Sequence, residues 1–245
     1  MRFAQKFLPM LALALWLPAM GQSYKKLEPG NSPPDRLSDL QKYLMIHVRR
    51  TLAENISFGP VRLKGRSSDI MAQGNFYELE MSLKPFEFQG LNVEKMEILV
   101  KQMRVDAEGL KKWELKVLDY KEAQTRLIFS LRSLEKKLAQ EQPELRLSAD
   151  SAERVVEIKG RGRFFFVPAH YETRAAFRWD EKAKKLYLVP KSVSWADFNV
   201  PRWLWWLGSG ECPSKALLDL SASWIPLNFQ EIYVGWDRVN LSTNW

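Results

Sequence analysis

The stretch Tyr77-Glu-Leu-Glu-Met-Ser-Leu83 decides the fold class of this chain. Apolar and polar side chains alternate along it with a period of two, the pattern of a β-strand with one buried face. The alternation returns in residues 96–105, slips by one position near Lys101-Gln102 and resumes. We interpret the slip as a β-bulge that bends the strand. Turn residues at Gln89-Gly90 and Glu108-Gly109 separate these segments, so this half is predicted to be an antiparallel meander.

Other segments extend or interrupt this pattern. Further strands are predicted at residues 112–117, 144–149, 154–159, 163–167, 171–179, 186–195, 229–236 and 239–242. Leucines spaced three and four residues apart predict two helices, at 37–52 and 127–138, and a short helix is predicted at 215–220. Strands that pair with their sequence neighbours favour an α+β fold. We therefore predict a strongly curved antiparallel sheet wrapped around two amphipathic helices.

The N-terminus has the pattern of a secretory signal peptide. Arg2 and Lys6 precede an apolar stretch at residues 7–17, and Ala19-Met-Gly21 supplies small residues for signal peptidase. We predict a signal peptide at 1–21, a proline-containing charged linker at 22–36 and a single domain at 37–245. An uncleaved anchor is the alternative, although the apolar stretch is short for a membrane span.

Charge and cysteine content narrow the class of protein. The net charge of +8 becomes +6 once residues 1–21 are removed, because that segment has two basic residues and no acidic one. A basic exported protein meets anionic lipid headgroups before it meets nucleic acid, so we predict peripheral contact with an anionic membrane and no nucleic-acid partner. A solvated surface with a modest basic excess is the alternative. Cys212 is the only cysteine, which excludes an intramolecular disulfide.

The segment Val200-Pro-Arg-Trp-Leu-Trp-Trp-Leu-Gly208 has an unusual composition. Three tryptophans and two leucines in consecutive positions leave no polar face on a helix or a strand. The segment is too short to cross a bilayer, which takes ~20 apolar residues. It is either a structural plug that closes the core or a lipid entrance at the membrane interface, where tryptophan is favoured. The candidate lipid- or membrane-contact residues are Arg202, Trp203, Leu204, Trp205, Trp206 and Leu207.

Catalytic and metal-binding motifs are not recognisable in the sequence. His47 and His170 are the only histidines, and neither has metal-ligand spacing. Ser209 does not lie in a G-x-S-x-G nucleophile motif, and Gly160-Arg-Gly162, predicted to join two strands, lacks the third glycine of a dinucleotide loop. We therefore predict a non-enzymatic protein without metal or cofactor. A divergent hydrolase is an alternative that requires His47 or His170 to lie near a carboxylate and a hydroxyl in one pocket.

Several short motifs follow one another in a recognisable order. In the first half they are Ile56-Ser-Phe-Gly-Pro-Val-Arg-Leu-Lys-Gly65, Asp69-Ile-Met-Ala-Gln-Gly74, Phe88-Gln-Gly-Leu91 and the strand at 96–105. In the second half they are the helix at 127–138, Phe198-Asn-Val-Pro201, Leu217-Leu-Asp-Leu220, Ile225-Pro-Leu227 and two short strands. This order resembles the LmeA-like phospholipid-binding family of exported bacterial proteins over residues 40–243, with the tryptophan density at 203–206 as a departure. The resemblance implies lipid binding without catalysis, in a fold similar to one half of a tubular lipid-binding protein.

Together these features predict an exported, periplasmic or cell-envelope protein that binds or shuttles phospholipid, or another acyl lipid, in an apolar groove. The alternative is a structural or scaffolding envelope protein with a closed core and a basic partner-binding surface. A groove of a few hundred cubic ångströms on the apolar face distinguishes the first from the second.

Overall fold

The computed structural model describes residues 37–53, 56–112, 114–140, 143–164, 167–196, 198–201 and 215–243. Within these ranges the chain is mainly antiparallel β-sheet with a few helices, which confirms the predicted α+β class. The predicted signal peptide (1–21) and linker (22–36) lie outside the described residues.

The helices of the described residues are α1 (Leu37–Thr51), α2 (Ser67–Gln73), α3 (Ala107–Lys111) and α4 (Leu131–Ala139). The strands are β1 (Phe58–Lys64), β2 (Asn75–Leu83), β3 (Phe86–Phe88), β4 (Leu91–Val105), β5 (Val117–Ser130), β6 (Arg146–Asp150), β7 (Val155–Phe164), β8 (Val167–Asp180), β9 (Lys185–Trp195), β10 (Phe198–Asn199), β11 (Lys215–Asp219), β12 (Glu231–Val234) and β13 (Arg238–Ser242).

These strands form two open sheets instead of the single sheet that the sequence predicted. The first sheet has seven strands in the order β1-β2-β4-β5-β13-β12, with β3 paired to β4. The second has six strands in the order β10-β9-β8-β7-β6, with β11 paired to β9. The second sheet is therefore inserted, in sequence, between the strands that make up the first.

The alternation that predicted the first strands is confirmed over most of its length. Leu79, Met81 and Leu83 of β2 are at most 1 % exposed. Tyr77 departs from the prediction, because it is 58 % exposed while its neighbour Phe76 is buried. In β4 the alternation of buried and exposed residues shifts by one position at Gln102, which faces Tyr77 and has a φ of 50°. The two strands therefore change faces together.

The predicted bulge at Lys101-Gln102 is misplaced. β4 keeps one register against β2 across this point. Its register against β5 shifts instead between Val93 and Lys95 and between Arg104 and Val105. The slip in burial accordingly comes from a local backbone twist at Gln102, a residue in the left-handed region, and not from an inserted residue.

The two longer helices contribute side chains to the hydrophobic core. Their buried residues are Leu40, Tyr43, Leu44 and Val48 of α1 and Leu131, Leu134 and Leu138 of α4. Helix α4 begins four residues later than predicted, because Leu127 belongs to β5. The Ser130 hydroxyl caps the helix by accepting a hydrogen bond from the amide of Ser133 at 3.1 Å.

Aromatic residues join the two sheets in one core. Phe129 of the first sheet meets Phe177 of the second edge to face, with ring centroids 6.0 Å apart. Trp179 of the second sheet packs in the same way on Phe229, at 4.9 Å. Such pairs add to the area that the rings bury. The buried side chains of both sheets belong to one continuous cluster.

A hairpin of the first sheet also bonds directly to the second. Gln89 and Gly90 both have positive φ, of 51° and 78°, as a two-residue hairpin between β3 and β4 requires. The Gln89 side chain donates to the carbonyl of Asp219 and accepts from its amide, both at 2.8 Å. Lys137 of α4 donates to the carbonyls of Gln89 and Leu217. The helix and both sheets therefore meet at this point.

Four local predictions are corrected by the structure. The turn at Glu108-Gly109 is the short helix α3, which the Asp106 side chain caps by accepting from the Glu108 amide at 3.1 Å. The next strand begins at Val117, five residues later than predicted. Gly160-Arg-Gly162 lies within β7 and joins no strands. The predicted helix at 215–220 is β11, because pairing with β9 supplies its backbone with partners.

Candidate functional site

The predicted contact residues Arg202, Trp203, Leu204, Trp205, Trp206 and Leu207 lie outside the described residues. The residues on either side of that segment are described, and both flank the same edge of β9. Asn199 pairs with Ser194, and the Val200 amide donates to the Val193 carbonyl at 2.8 Å. Lys215 pairs with Leu188 farther along the strand. The last described residues before position 202 and the first described residues after position 214 therefore both pair with β9.

A groove of about 660 Å³ lies on the second sheet, next to one of these anchor points. Its lining residues are Pro143, Glu144, Arg146, Lys159, Gly160, Arg161, His170, Tyr171, Glu172 and Ser194. Most of them are charged or polar. A smaller cavity of about 180 Å³ on the first sheet is also lined mostly by polar residues. The larger of these two cavities is therefore polar, whereas the sequence predicted an apolar groove.

Strand register explains why so many polar groups converge there. Pairing aligns one residue from each of five adjacent strands, and paired residues project from the same face of a sheet. This central row consists of Arg146, Lys159, Glu172, Ser194 and Asn199. Arg161 and His170 pair with each other two positions along the same strands, so they project from that face as well.

Ion pairs cross the groove, but two of its cations are neighbours in the strand ladder. The Lys159 ammonium lies 3.3 Å from a Glu172 oxygen, and the Arg161 guanidinium lies 3.5 Å from Glu144. Arg146 reaches Glu135, on α4, at 3.3 Å. Arg146 and Lys159 are nevertheless directly opposite each other in the ladder. Like charges in that position destabilise a sheet, so this pair has no structural benefit.

The alternate residues of the same strands support the groove from the other face. Tyr171 pairs with Gly160 on one side and with Trp195 on the other. Its ring stacks on Trp195 with centroids 5.7 Å apart, and a Cβ atom at Gly160 would lie 2.5 Å from the tyrosine oxygen. The lack of a side chain at Gly160 therefore leaves space for the Tyr171 ring. Burial raises the pKa of the Tyr171 hydroxyl, which stays protonated at neutral pH.

The two histidines have different surroundings. His170 lines the groove together with two carboxylates and Ser194, the set that the hydrolase alternative requires. The Ser194 hydroxyl, however, donates to the Asn199 side chain at 2.8 Å, so its proton points away from any base. His47 lies on α1, with its ring centroid 6.0 Å from that of Tyr43 and 6.3 Å from that of Trp224. Burial, aided by the charge of Arg50, lowers the pKa of His47.

Metal-binding clusters and membrane-spanning helices are absent from the part of the chain that the structure describes. No group of three or more His, Cys, Asp or Glu side chains there is arranged to hold a metal ion. None of the helices in those ranges combines the length and the apolar character that a membrane crossing needs.

Sequence reasoning missed the groove because its residues are distant in the chain and ordinary one at a time. The signal that the sequence does contain is the run of polar residues at alternate positions in β6 to β9. Alternation places them on one face, but only the register of β6 against β7 brings Arg146 beside Lys159.

No protein-family model matches the chain, and no curated protein or solved structure is significantly similar to it. The resemblance in motif order to the LmeA-like family stays a prediction.

Proposed function

We propose that this is an exported cell-envelope protein that binds or shuttles phospholipid without catalysing a reaction. In this proposal the groove on the second sheet holds the headgroup and the segment 202–207 contacts the bilayer. One observation supports it above the others: Arg146 and Lys159 face each other directly in a groove of about 660 Å³. Two opposed cations are destabilising alone and become favourable when an anion binds between them.

The size and surroundings of the groove fit a phosphorylated headgroup. Its volume lies in the range of small-ligand sites, roughly 300–1,000 Å³. Arg161 adds a third permanent cation to the lining, and guanidinium and ammonium groups are the side chains that bind phosphate most strongly. The ion pairs already present are exposed at the surface, where each contributes roughly 0–1 kcal/mol. Breaking these pairs therefore costs little in itself, and the remaining cost is the repulsion between the phosphate and the released carboxylates.

The position of the groove also favours a lipid over a soluble phosphate ester. Ser194 lines the groove and pairs with Asn199, three residues before Arg202. Phe198, next to Asn199 in the chain, is 76 % exposed. Tryptophan, leucine and arginine in sequence suit the membrane interface, where a ring can enter the lipid while the cation stays in water. The acyl chains would lie against this segment, on the outer side of the molecule, because the apolar faces of both sheets are packed in the core.

The test is vesicle binding by the full chain and by two tryptophan variants. Trp205→Ala combined with Trp206→Ala should weaken binding to phospholipid vesicles by more than about tenfold, since each indole contributes apolar burial. Trp236→Ala is the matched control, because Trp236 is 85 % exposed on a hairpin of the first sheet. It should leave binding unchanged. Native mass spectrometry of protein taken from its host should show phospholipid adducts.

Two results would count against the proposal. Delipidated protein that neither sediments with vesicles nor takes up lipid would exclude it. A loss of several kcal/mol of stability in the double tryptophan variant, with vesicle binding intact, would show that the segment is a structural plug.

The scaffolding alternative has its own support in the packing. The buried side chains of both sheets form one continuous cluster, and the larger cavity is polar. An envelope protein of that kind would bind a protein partner through its basic surface. It predicts protein without lipid adducts and with unchanged partner binding after Trp205 and Trp206 are replaced.

A further inference from the structure

We infer that the groove on the second sheet selects a zwitterionic phosphoethanolamine group, a phosphate ester linked through two carbons to a primary ammonium. The inference rests on the proposed lipid function and names the headgroup that the site would take. It follows from the carboxylates of the groove, which an anion-binding site does not need.

The lining carries permanent charges of both signs. Arg146, Lys159 and Arg161 supply three cations, and Glu144 and Glu172 supply two carboxylates. Both carboxylates already pair with a groove cation, at 3.5 Å for Arg161 with Glu144 and at 3.3 Å for Lys159 with Glu172. Any phosphate that takes these cations removes the partners of both carboxylates.

The consequence depends on the charge of the ligand. A purely anionic headgroup would leave Glu144 and Glu172 without counter-ions beside a second negative charge. A ligand that brings a phosphate and an ammonium together exchanges each old pair for a new one. The mixed lining therefore favours a zwitterion over an anion.

The register places the two charges of the site at a suitable separation. Arg146 and Lys159 lie on adjacent strands, and Glu172 lies on the next strand in the same row. Neighbouring strands are about 4.8 Å apart. A phosphate held between the two cations would thus lie about one and a half strand spacings, roughly 7 Å, from the strand of Glu172. A two-carbon linker spans a distance of this order.

The described aromatic residues argue for a primary ammonium over a quaternary one. Quaternary ammonium groups are bound in cages of aromatic faces. Tyr171 is the aromatic residue of the lining, and its ring is stacked on Trp195 and packed over Gly160. Carboxylates, in contrast, accept hydrogen bonds from the three N–H groups of a primary ammonium.

The experiment compares headgroups in solution and in vesicles, with the full chain. The soluble probes are glycerophosphoethanolamine, glycerophosphoglycerol, glycerophosphocholine and inorganic phosphate, titrated by calorimetry. Glycerophosphoethanolamine should bind about tenfold more tightly than the other three, the effect of one charge-assisted contact. Vesicles rich in phosphatidylethanolamine should be preferred over phosphatidylglycerol vesicles in the same way.

Variants of the carboxylates show which residues cause the preference. Glu144→Gln combined with Glu172→Gln should abolish the preference, because binding of phosphatidylethanolamine weakens and binding of phosphatidylglycerol tightens once the two negative charges are removed. Glu78→Gln combined with Glu122→Gln is the control, because these residues also pair with lysines but lie on the first sheet. That variant should keep the preference. Thermal melts of both variants establish that they are folded.

The possible failures are distinguishable. Equal or tighter binding of phosphatidylglycerol or inorganic phosphate by the wild type overturns the inference and leaves lipid binding standing. A preference that survives the Glu144 and Glu172 substitutions overturns it too. Tight binding of soluble glycerophosphoethanolamine without any vesicle binding supports the ligand class and overturns the lipid function.

Discussion

The outer faces of the two sheets use the same kinds of residue in a different order. On the first sheet, pairing aligns the row Lys64, Glu78, Lys101 and Glu122. On the second sheet it aligns Arg146, Lys159, Glu172, Ser194 and Asn199. The first row alternates in sign, with ion pairs of 2.7 and 3.1 Å. The second begins with two cations side by side and ends in neutral groups.

On the first sheet the charged residues of the row neutralise one another. On the second sheet two cations lie side by side, which suits an anionic ligand. Opposite charges across a ladder contribute roughly 0.2–1 kcal/mol each, and like charges cost a similar amount. Every cation of the first row has an acidic neighbour in its own row. Arg146 finds its carboxylate on a helix instead. Composition alone would have made the two faces look equivalent.

The largest expected effect tests whether the two sheets can be compared as parts of one cooperative unit. Phe129→Ala should lower the free energy of unfolding by about 3–5 kcal/mol, because Phe129 is fully buried where the sheets meet. Tyr233→Ala, at a side chain 52 % exposed, should change it by less than about 0.5 kcal/mol. Calorimetry should show a single transition. Two transitions, of which only one shifts, would mean that the sheets fold independently.

A pair of glycines tests the support beneath the groove. Gly160→Ala should destabilise the protein by about 1–3 kcal/mol, because its Cβ would lie 2.5 Å from the Tyr171 hydroxyl oxygen and 2.6 Å from the ring. Gly59→Ala on the first sheet is the matched change, since the nearest atom there is at 3.4 Å. It should be neutral or stabilise by about 0.4–1 kcal/mol. Denaturant titration measures both. Equal effects would show that the Tyr171 ring moves freely.

Charge reversal at the middle of each row tests the comparison directly. Lys101→Glu would face Glu78 and Glu122 and should cost about 1 kcal/mol. Lys159→Glu would gain a partner in Arg146 while opposing Glu172, so its net effect on stability should be smaller. Headgroup titration should show lost binding for Lys159→Glu alone. The contrast between the sheets fails if both reversals destabilise equally and both bind lipid.

The smallest expected effect is on the pH dependence of stability, and it comes from the half-buried His47 of α1. Burial holds the pKa of His47 below its ordinary value of 6.5, so the unfolded chain takes up a proton more readily than the folded one. Stability should therefore be full above pH 6.5 and fall as the pH drops below it. His47→Gln should reduce that fall, as read from melting temperatures at pH 7.5 and 5. An unchanged pH dependence would place its cause elsewhere.

Much of the fold follows from local pattern. The alternation around Leu79 and Met81 and the hairpin at Gln89-Gly90 both have the structure that their sequences predict. In each case the decisive contacts are close in sequence. Period, turn chemistry and length are then sufficient.

The remaining features depend on partners far along the chain. The sequence around Leu217-Leu218 predicts a helix, but the segment forms a strand because it pairs with β9. The face that Tyr77 occupies is set together with that of Gln102, across the ladder. Arg146 becomes a candidate binding residue only because it pairs with Lys159. Sequence patterns report which face a residue prefers, and they do not report which residue of another strand lies opposite.

The insertion of the second sheet between β5 and β13 has a consequence for biosynthesis. The Arg126 side chain of β5 bonds to Asn240 of β13, which follows 114 residues later. A ribosome adding 5–20 residues per second needs roughly 6–20 s to make that stretch. During this time one edge of β5, with Leu127 and Phe129 on it, lacks its final neighbour, while the hairpins of the second sheet can already close. Pulsed hydrogen exchange during refolding should accordingly protect β7 to β9 before β13. The nascent chain thus has an unpaired strand edge for several seconds, and this edge can pair with other chains until β13 is made.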